Sequence, residues 1–516
     1  MEKKKKKTKS KKTKNKNKTS KKIVSRIINV LSIVAVTLFL WYSYHINIIP
    51  MKYYRIAALS LVGFEIIYTL LCINKKKSGI ILKLFNVLAL LFIIGCGVGY
   101  WYLNKTVAFI EENFKKNYTY DEYYILTNVD SSFNTIKDIK GKTIYFNADD
   151  TDYFTEIKTE LKKKTTAKIE KVDSISDSLA VLADPDTLII LSSGLYDSIG
   201  TYDEYYINHV KIIDTIRIIV PRVKEEKEKE IDLTNTPFII YLSGIDTRTE
   251  TLVKKSLSDV NMFIVVNPNT KTILLVSIPR DSYVPLHGYN GKKDKLTHAG
   301  SLGGLELSKA TCEDLMDVHA DYYARVNFRS VVNLVNAVGG IVVQEEPYVT
   351  KRFSLWTNRN CWIEPGENYL TGECALAFAR ERYHYYKGDM QRNINQQKVL
   401  KALFNKLSSS TYMVSHYDKF LNAVAGTFET DMSPEDIKKL IKFQLNDMSP
   451  WTFESQNVVG GTGRTTTYSS GSTELSVVYP NQKSINEAKE AIRKVLAGES
   501  LHPEENTTTE GENAAQ

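Results

Sequence analysis

Three apolar runs occupy the first fifth of the chain, at about Ile23–Tyr44, Tyr54–Cys72 and Ile80–Tyr102. Each is long enough for a helix to cross a hydrocarbon core of about 30 Å, which takes about 20 residues. The connectors between them are short, so the pattern predicts three transmembrane helices over residues 23–103. Beyond them a polar stretch at 105–120 reads as a helical stalk. Strand and helix periods then alternate: a turn feeding a strand at Asp138–Asn147, an amphipathic helix at Tyr153–Lys164, a strand at Lys168–Val172, a short helix near Ser174–Ala183 and a buried strand at Thr187–Leu191. With the stalk this makes an α/β accessory domain over 104–225, in which no ligand-binding constellation stands out. The Lys- and Glu-rich segment Pro221–Asp232 has the composition of a linker.

A second domain is predicted over 226–499. Phe238–Asp246 is an apolar run that ends in an acid, the pattern of a central strand delivering a functional group at its carboxyl end. Met262–Val266 and Thr272–Ile278 flank a turn and form a hairpin that runs into Pro279-Arg280-Asp281. Helices come next around Leu305–Val318 and Phe328–Val338, then a strand at Ile341–Gln344. Arg380 and Arg382 are two apart, so in an extended segment both point one way and Glu381 the other. Asp389, Arg392 and Gln396 fall at i, i+3 and i+7 on one face of a long helix, Met390–Leu407. Ser433, followed by Pro434 and two acids, is a helix N-cap.

The formal charge of +9 raises the prospect of a nucleic-acid partner, but its distribution removes it. Residues 1–22 carry 13 Lys and one Glu, and the remainder of the chain is close to −3. The Lys-rich tail has no apolar residue to bury and is expected to be disordered, drawn to anionic membrane lipids. Together with Lys75, Lys76 and Lys77 it places the N-terminus and the second connector on the cytoplasmic side, which puts everything after Leu103 outside the cell membrane. A second disordered tail is expected over 500–516. The five Cys lack metal-ligand spacing, and Cys361 and Cys374 could pair on the oxidising side of a membrane.

The candidate chemistry lies in Arg and Asp residues at the ends of predicted elements. Arg forks hold phosphate oxygens, and paired carboxylates hold a hard cation such as Mg²⁺, so a site made of both suits a pyrophosphate. From spacing alone, a structural alternative stays open, in which Arg380, Arg382 and Arg392 merely pair with Glu381, Asp389 and other surface acids.

Gly244-Ile-Asp246, Ser258-Asp259, Pro279-Arg-Asp281, Lys295–Gly300, Tyr322–Phe328, Ala337–Gly340, Phe378–Tyr383 and Asp389–Gln397 occur in the order and approximate spacing of the LytR-CpsA-Psr family. The sequence resembles its capsule-associated CpsA branch most, including Gly461-Thr-Gly-Arg464, over roughly residues 236–498. The resemblance implies an α/β/α catalytic domain with a central mixed sheet. It also implies transfer of a glycopolymer, capsular or teichoic-acid-like, from a polyprenyl-pyrophosphate carrier to peptidoglycan through a phosphodiester link. Pyrophosphatase side activity and contact with capsule-assembly proteins are further expectations. Carried over by position, Asp246 and Asp259 would hold Mg²⁺. Arg280, Lys295, Arg380, Arg382, Arg392 and Gln396 would contact the pyrophosphate, with Asp389 orienting nearby Arg side chains. Asp246, Asp259, Arg280, Asp281 and Arg382 form the catalytic set, with Asp259 or Asp281 as the base. A receptor that binds polyprenyl-linked polymer without turnover is the competing reading. The sequence departs from the family pattern at Leu257, where Arg is common and Arg248, Lys254 or Lys255 would have to substitute, and at Asn393-Ile-Asn395.

Overall fold

The computed structural model describes residues 2–74, 79–114, 118–147, 153–172, 183–221, 231–245, 252–409 and 428–502. Residues 174–182 of the predicted helix at Ser174–Ala183, most of the predicted linker, and Asp246 and Arg248 lie outside the described residues. So does most of the predicted C-terminal tail.

The chain divides into two compact units, one formed by residues 1–115 with 433–449 and the other by residues 116–432 with 450–516. In the first, α1 (Glu2–Ile46), α2 (Met51–Ile73) and α3 (Ile80–Phe114) each contain a segment long and apolar enough to cross a membrane. The basic tail, expected to be disordered, instead continues α1 as helix. Extending an existing helix avoids the cost of nucleation, and Lys is a good helix former.

A polar seam joins the three spans. Glu65 of α2 accepts hydrogen bonds from Asn29 (3.2 Å) and Ser32 of α1. Tyr68 of α2 donates to Asn86 of α3 (2.6 Å), and Asn86 donates to Ser25 of α1 (3.0 Å). Helices in lipid gain little from apolar burial, so such bonds are a main source of association. Glu65→Ala is expected to weaken the bundle by about 1–2 kcal/mol. This would be read as a lower thermal midpoint of the full chain in nanodiscs, and an unchanged midpoint would show that the seam does not hold the spans together.

Among the described residues the second unit holds two large sheets and four two-stranded ones. The first comprises β1 (Tyr118–Asn128), β2 (Thr143–Asn147), β3 (Lys168–Val172), β4 (Leu188–Ser192) and β5 (Val210–Pro221) in the order β3-β2-β4-β1-β5. Its faces are covered by α4 (Phe154–Lys164) on one side and by α5 (Ser193–Gly200) and α6 (Glu204–His209) on the other. Strands β1 and β5 were not anticipated, and the stalk expected over 105–120 is divided between the end of α3 and the start of β1.

The predicted boundary near residue 225 does not separate two bodies, because this sheet packs against the second domain. Lys254 N–H donates to Tyr120 O (2.6 Å), and Gly194 opens α5 so close to Lys255 that a Cβ there would lie 2.7 Å from its carbonyl carbon.

The second sheet is built from β6 (Phe238–Ile245), β7 (Ser258–Asn267) and β8 (Thr272–Ile278). After β9 (Tyr283–Pro285), β10 (Lys293–Lys295) and α7 (Leu296–Met316) comes its strand β11 (Tyr322–Asn327), followed by α8 (Phe328–Ala337). Next come β12 (Ile341–Gln344), β13 (Phe353–Ser354), β14 (Trp362–Ile363), β15 (Glu367–Leu370), α9 (Gly372–Arg380) and α10 (Asp389–Ser409). The chain closes with β16 (Phe428–Thr430), α11 (Pro434–Asn446), β17 (Thr452–Asn457), the hairpin β18 (Gly460–Thr466) with β19 (Glu474–Pro480), and α12 (Gln482–Ala497).

The six-stranded sheet runs β16-β11-β6-β7-β8-β17 and is mixed, with β11–β6 and β8–β17 parallel and the other pairs antiparallel. Alternation along the strands sends Tyr241, Phe263, Leu274 and Val276 toward α7 and α12. Leu242, Met262, Ile264 and Leu275 face the opposite side, with Leu376 of α9 and Leu400 of α10. This is the expected α/β/α layering. Helix α7 begins nine residues before the expected Leu305, because a left-handed Gly304 (φ 74°) lets two helical segments join across a kink. Ser433 caps α11 as anticipated, with a reciprocal bond from Asp436.

Candidate active site

The sheet register gathers the charged residues at one edge. Strand β7 runs against β6, so its first residues, Ser258 and Asp259, lie beside the carboxyl end of β6, with Ile245 opposite Ser258. Strand β8 runs against β7 and delivers Pro279-Arg280-Asp281 to the same edge. Strands β11 and β17 are parallel to β6 and β8, so the carboxyl ends of four strands meet there, a common location for ligands in open α/β sheets. Asp246 comes directly after β6 in sequence.

At this edge Arg280 Nη1 donates to both oxygens of Asp259 (2.9 and 3.0 Å), and Thr297 Oγ1 donates to Asp259 Oδ1 (3.3 Å). Arg280 Nε also lies 3.6 Å from Asp281, whose other oxygen pairs with Lys295 at 2.5 Å. Across the site Asp389 stands 3.5 Å from Arg382 and 3.4 Å from Arg392. Asp259, Arg280, Arg380, Arg382, Arg392 and Gln396 line one cavity, together with Phe328, Trp356, Thr357 and Tyr383. Lys295 and Asp281 pair with each other, and Asp389 braces two cavity arginines. None of these three lines the cavity itself. Arg464, from the glycine-rich segment, donates to Glu474 O within the β18–β19 hairpin.

Among the described residues, Arg280, Lys295, Arg380, Arg382 and Arg392 outnumber the nearby Asp259, Asp281 and Asp389. Burial pulls the Arg392 pKa below the usual guanidinium range and the Arg280 charge adds to that, with Asp389, Asp259 and Asp281 opposing. Arg392 Nε and Nη2 and Arg280 Nε are buried without a hydrogen-bond partner among the described residues. Burial also opposes the charge of Arg280, but Asp259 and Asp281 hold its pKa above the ordinary value. Burial raises the Asp281 pKa, yet Lys295 and Arg280 outweigh it and hold the carboxyl below the usual carboxylate range. A carboxylate held there is a weak proton acceptor at neutral pH.

The segment carrying Arg380 and Arg382 is not extended throughout. Arg380 closes α9, and the chain becomes extended at Glu381. Glu381 does point away from the cavity, but it is fully buried and not a surface ion-pair partner. Its carboxylate accepts backbone N–H bonds from Trp356, Arg382 (2.9 Å) and Tyr383 (2.8 Å), which fixes the turn that aims the arginine.

Glu381, Thr297, Trp356 and Tyr383 were missed by sequence reasoning. Thr297 and Glu381 lie inside motifs whose other members drew attention, and the place of Trp356 depends on a loop fold. That loop is tied down by a disulfide between Cys361 and Cys374 of α9. Of the candidate substitutes at the Leu257 departure, Arg248 lies outside the described residues. Lys254 donates to Tyr153 of α4's leading edge (2.9 Å), and neither Lys254 nor Lys255 lines the cavity. Asn395 has a packing role, donating to Phe378 O (3.0 Å) and joining α10 to α9.

Residues 208–493 match the LytR_cpsA_psr family. The polyisoprenyl-teichoic acid–peptidoglycan teichoic acid transferase TagU of Enterococcus faecalis is 35% identical over 242 residues, covering 47% of this chain and 76% of the relative. The corresponding TagT of Bacillus subtilis is 30% identical over 268 residues, covering 51% and 80%. A solved structure of TagT bound to LI-WTA is 28% identical with a TM-score of 0.42, over 52% of this chain and 95% of that one. With motifs in register and more than half of its length matched, the chain belongs to the LytR-CpsA-Psr family.

Proposed function

We propose that the protein transfers a glycopolymer from a polyprenyl-pyrophosphate carrier to peptidoglycan, working on the outer face of a cell membrane with its N-terminus in the cytoplasm. The observation that carries this is the buried Arg392, which has two donors unpartnered among the described residues and faces a cavity with Arg280, Arg380 and Arg382. Among the described residues no acceptor reaches those two Arg392 donors, and a pyrophosphate would supply one. The names of the TagU and TagT relatives support the donor and acceptor classes. The Lys-rich tail before the first span supports the orientation. Capsular polysaccharide is the polymer favoured by the resemblance to the CpsA branch.

In the reaction an acceptor hydroxyl attacks the phosphorus that bears the glycan. A new P–O bond forms, the bridging P–O bond breaks, polyprenyl phosphate leaves, and the hydroxyl proton passes to a carboxylate of the site or to water. Arg280, Arg380, Arg382 and Arg392 hold the phosphate oxygens and offset the charge that grows on them. Of the two candidate bases, Asp259 lines the cavity, whereas Asp281 is held ionised by Lys295 and Arg280. Gln396 of α10 also lines the cavity, where its amide would donate to a phosphate oxygen. With water as acceptor the same arrangement would give pyrophosphatase activity.

Mg²⁺ is commonly held by one or two carboxylates plus substrate phosphates, and the hard oxygens of Asp259 at the cavity wall fit that donor set. Asp259 and Asp246 would hold the ion, which would neutralise phosphate charge and polarise the P–O bond.

The test uses the full chain in nanodiscs with a polyprenyl-pyrophosphate glycan and a peptidoglycan acceptor. Phosphate-linked product is expected with Mg²⁺, to be abolished by EDTA, and to fall about 10²-fold in Arg382→Ala. Tight binding of the lipid with no turnover across several glycans and acceptors would favour a receptor instead.

A further inference from the structure

Within the cavity, one wall is aromatic and open to solvent. The rings of Trp356 and Tyr383 meet with centroids 4.7 Å apart, yet Trp356 stays 51% exposed and Tyr383 57%. Leaving two large rings half in water forgoes the burial that ordinarily places them in a core.

The wall is nevertheless held firmly. The Trp356 N–H is bonded to buried Glu381, neighbouring Leu355 is fully buried, and Cys361 is bonded to Cys374. Guanidinium groups flank both rings. Arg359 lies 4.4 Å from the Trp356 centroid, and Arg382 lies 4.8 Å from that of Tyr383 while donating to its hydroxyl (2.8 Å).

A fixed aromatic wall with one guanidinium over each ring, close to the buried Arg392, matches a ligand with one apolar face, a hydroxylated edge and an adjoining phosphate. We propose that Trp356 and Tyr383 form a stacking subsite for a pyranose ring beside the reacting phosphate. This rests on the phosphate-transfer reading and adds a subsite to it. A prenyl chain fits less well, because it calls for an enclosed apolar slot and not an open wall rimmed by charge. The ring could belong to the donor glycan or to the peptidoglycan acceptor, and both present the same C–H face to an indole.

The test compares wild-type full chain, Trp356→Ala, Trp356→Phe and Tyr383→Ala in nanodiscs. Binding is measured by calorimetry for a short-chain prenyl pyrophosphate and for the same lipid carrying an N-acetylhexosamine disaccharide. A muropeptide disaccharide is titrated in the turnover assay. Trp356→Ala is expected to weaken the sugar-bearing lipid about three- to tenfold and to leave the sugar-free lipid within about twofold, with Trp356→Phe recovering most of the loss. A selective rise in KM for the muropeptide, with lipid binding unchanged, would support the subsite and assign its sugar to the acceptor.

Equal losses for both lipids, or no loss in either alanine variant for any sugar-bearing ligand, would overturn the subsite while leaving the phosphate reading intact. If the wild type binds neither pyrophosphate lipid, the phosphate reading itself fails and the subsite with it.

Discussion

Arg392→Gln should lower kcat/KM by about 10²- to 10³-fold while leaving the thermal midpoint unchanged or higher. The two effects separate because this guanidinium is costly to the folded protein. It is 6% exposed, and burial and the neighbouring charge of Arg280 both disfavour its charged form. Two of its nitrogens have no hydrogen-bond partner among the described residues. A neutral Gln removes that cost together with the groups that would meet charge developing on phosphorus. The check is a thermal melt beside steady-state kinetics on the same preparation. If activity and midpoint fall together, Arg392 is a structural ion-pair partner of Asp389 and the anion-site reading loses its main support.

Glu381→Ala is expected to lower both, with the midpoint down by several degrees and turnover reduced more than the folded fraction explains. The variant leaves the N–H groups of Trp356, Arg382 and Tyr383 without their buried acceptor, and each such loss costs about 1–3 kcal/mol. Since the same carboxylate fixes the turn that carries Arg382 and the loop that carries Trp356, the arginine loses its aim as well. Glu381→Gln keeps one acceptor oxygen and should recover most of the stability. Turnover at saturating substrate should then return only in part, which a role confined to folding would not produce. Full recovery of both would make Glu381 a purely structural residue.

The two variants also mark where sequence reading reached its limit. Arg392 was identified because the helical period places it on one face with Asp389 and Gln396, and motif order supplied a phosphate role. Glu381 sits between two arginines that the sequence singles out, and its position suggests only a residue facing away or a surface ion-pair partner. Its importance comes from the residues it faces, Trp356 lying 25 positions earlier, and no local pattern encodes that distance.

The same distinction runs through the whole molecule. Strongly periodic or long apolar segments declared themselves: the three spans, the β7–β8 hairpin, the capped α11 and the long α10. In these, burial pattern and capping chemistry are local properties of the chain. Strands β1 and β5 did not declare themselves: Tyr, Thr, Asp and Glu interrupt β1, and the apolar alternation of β5 at Ile216, Ile218 and Val220 runs directly into the Lys- and Glu-rich segment. Their burial is supplied by β4 and by each other across some 90 residues.

By itself, then, the sequence determined the membrane-spanning elements, the α/β character of the region beyond them, and most of the charged residues that line the site. Only the tertiary structure decided which of those charges share a cavity and which stand behind it. It also decided that the accessory sheet packs on the second domain, and that Trp356 and Tyr383 join the arginines. The physical reason is that helix and strand periods are written every two to four residues, whereas a site at the carboxyl ends of strands is assembled by pairing register and loop closure between distant segments.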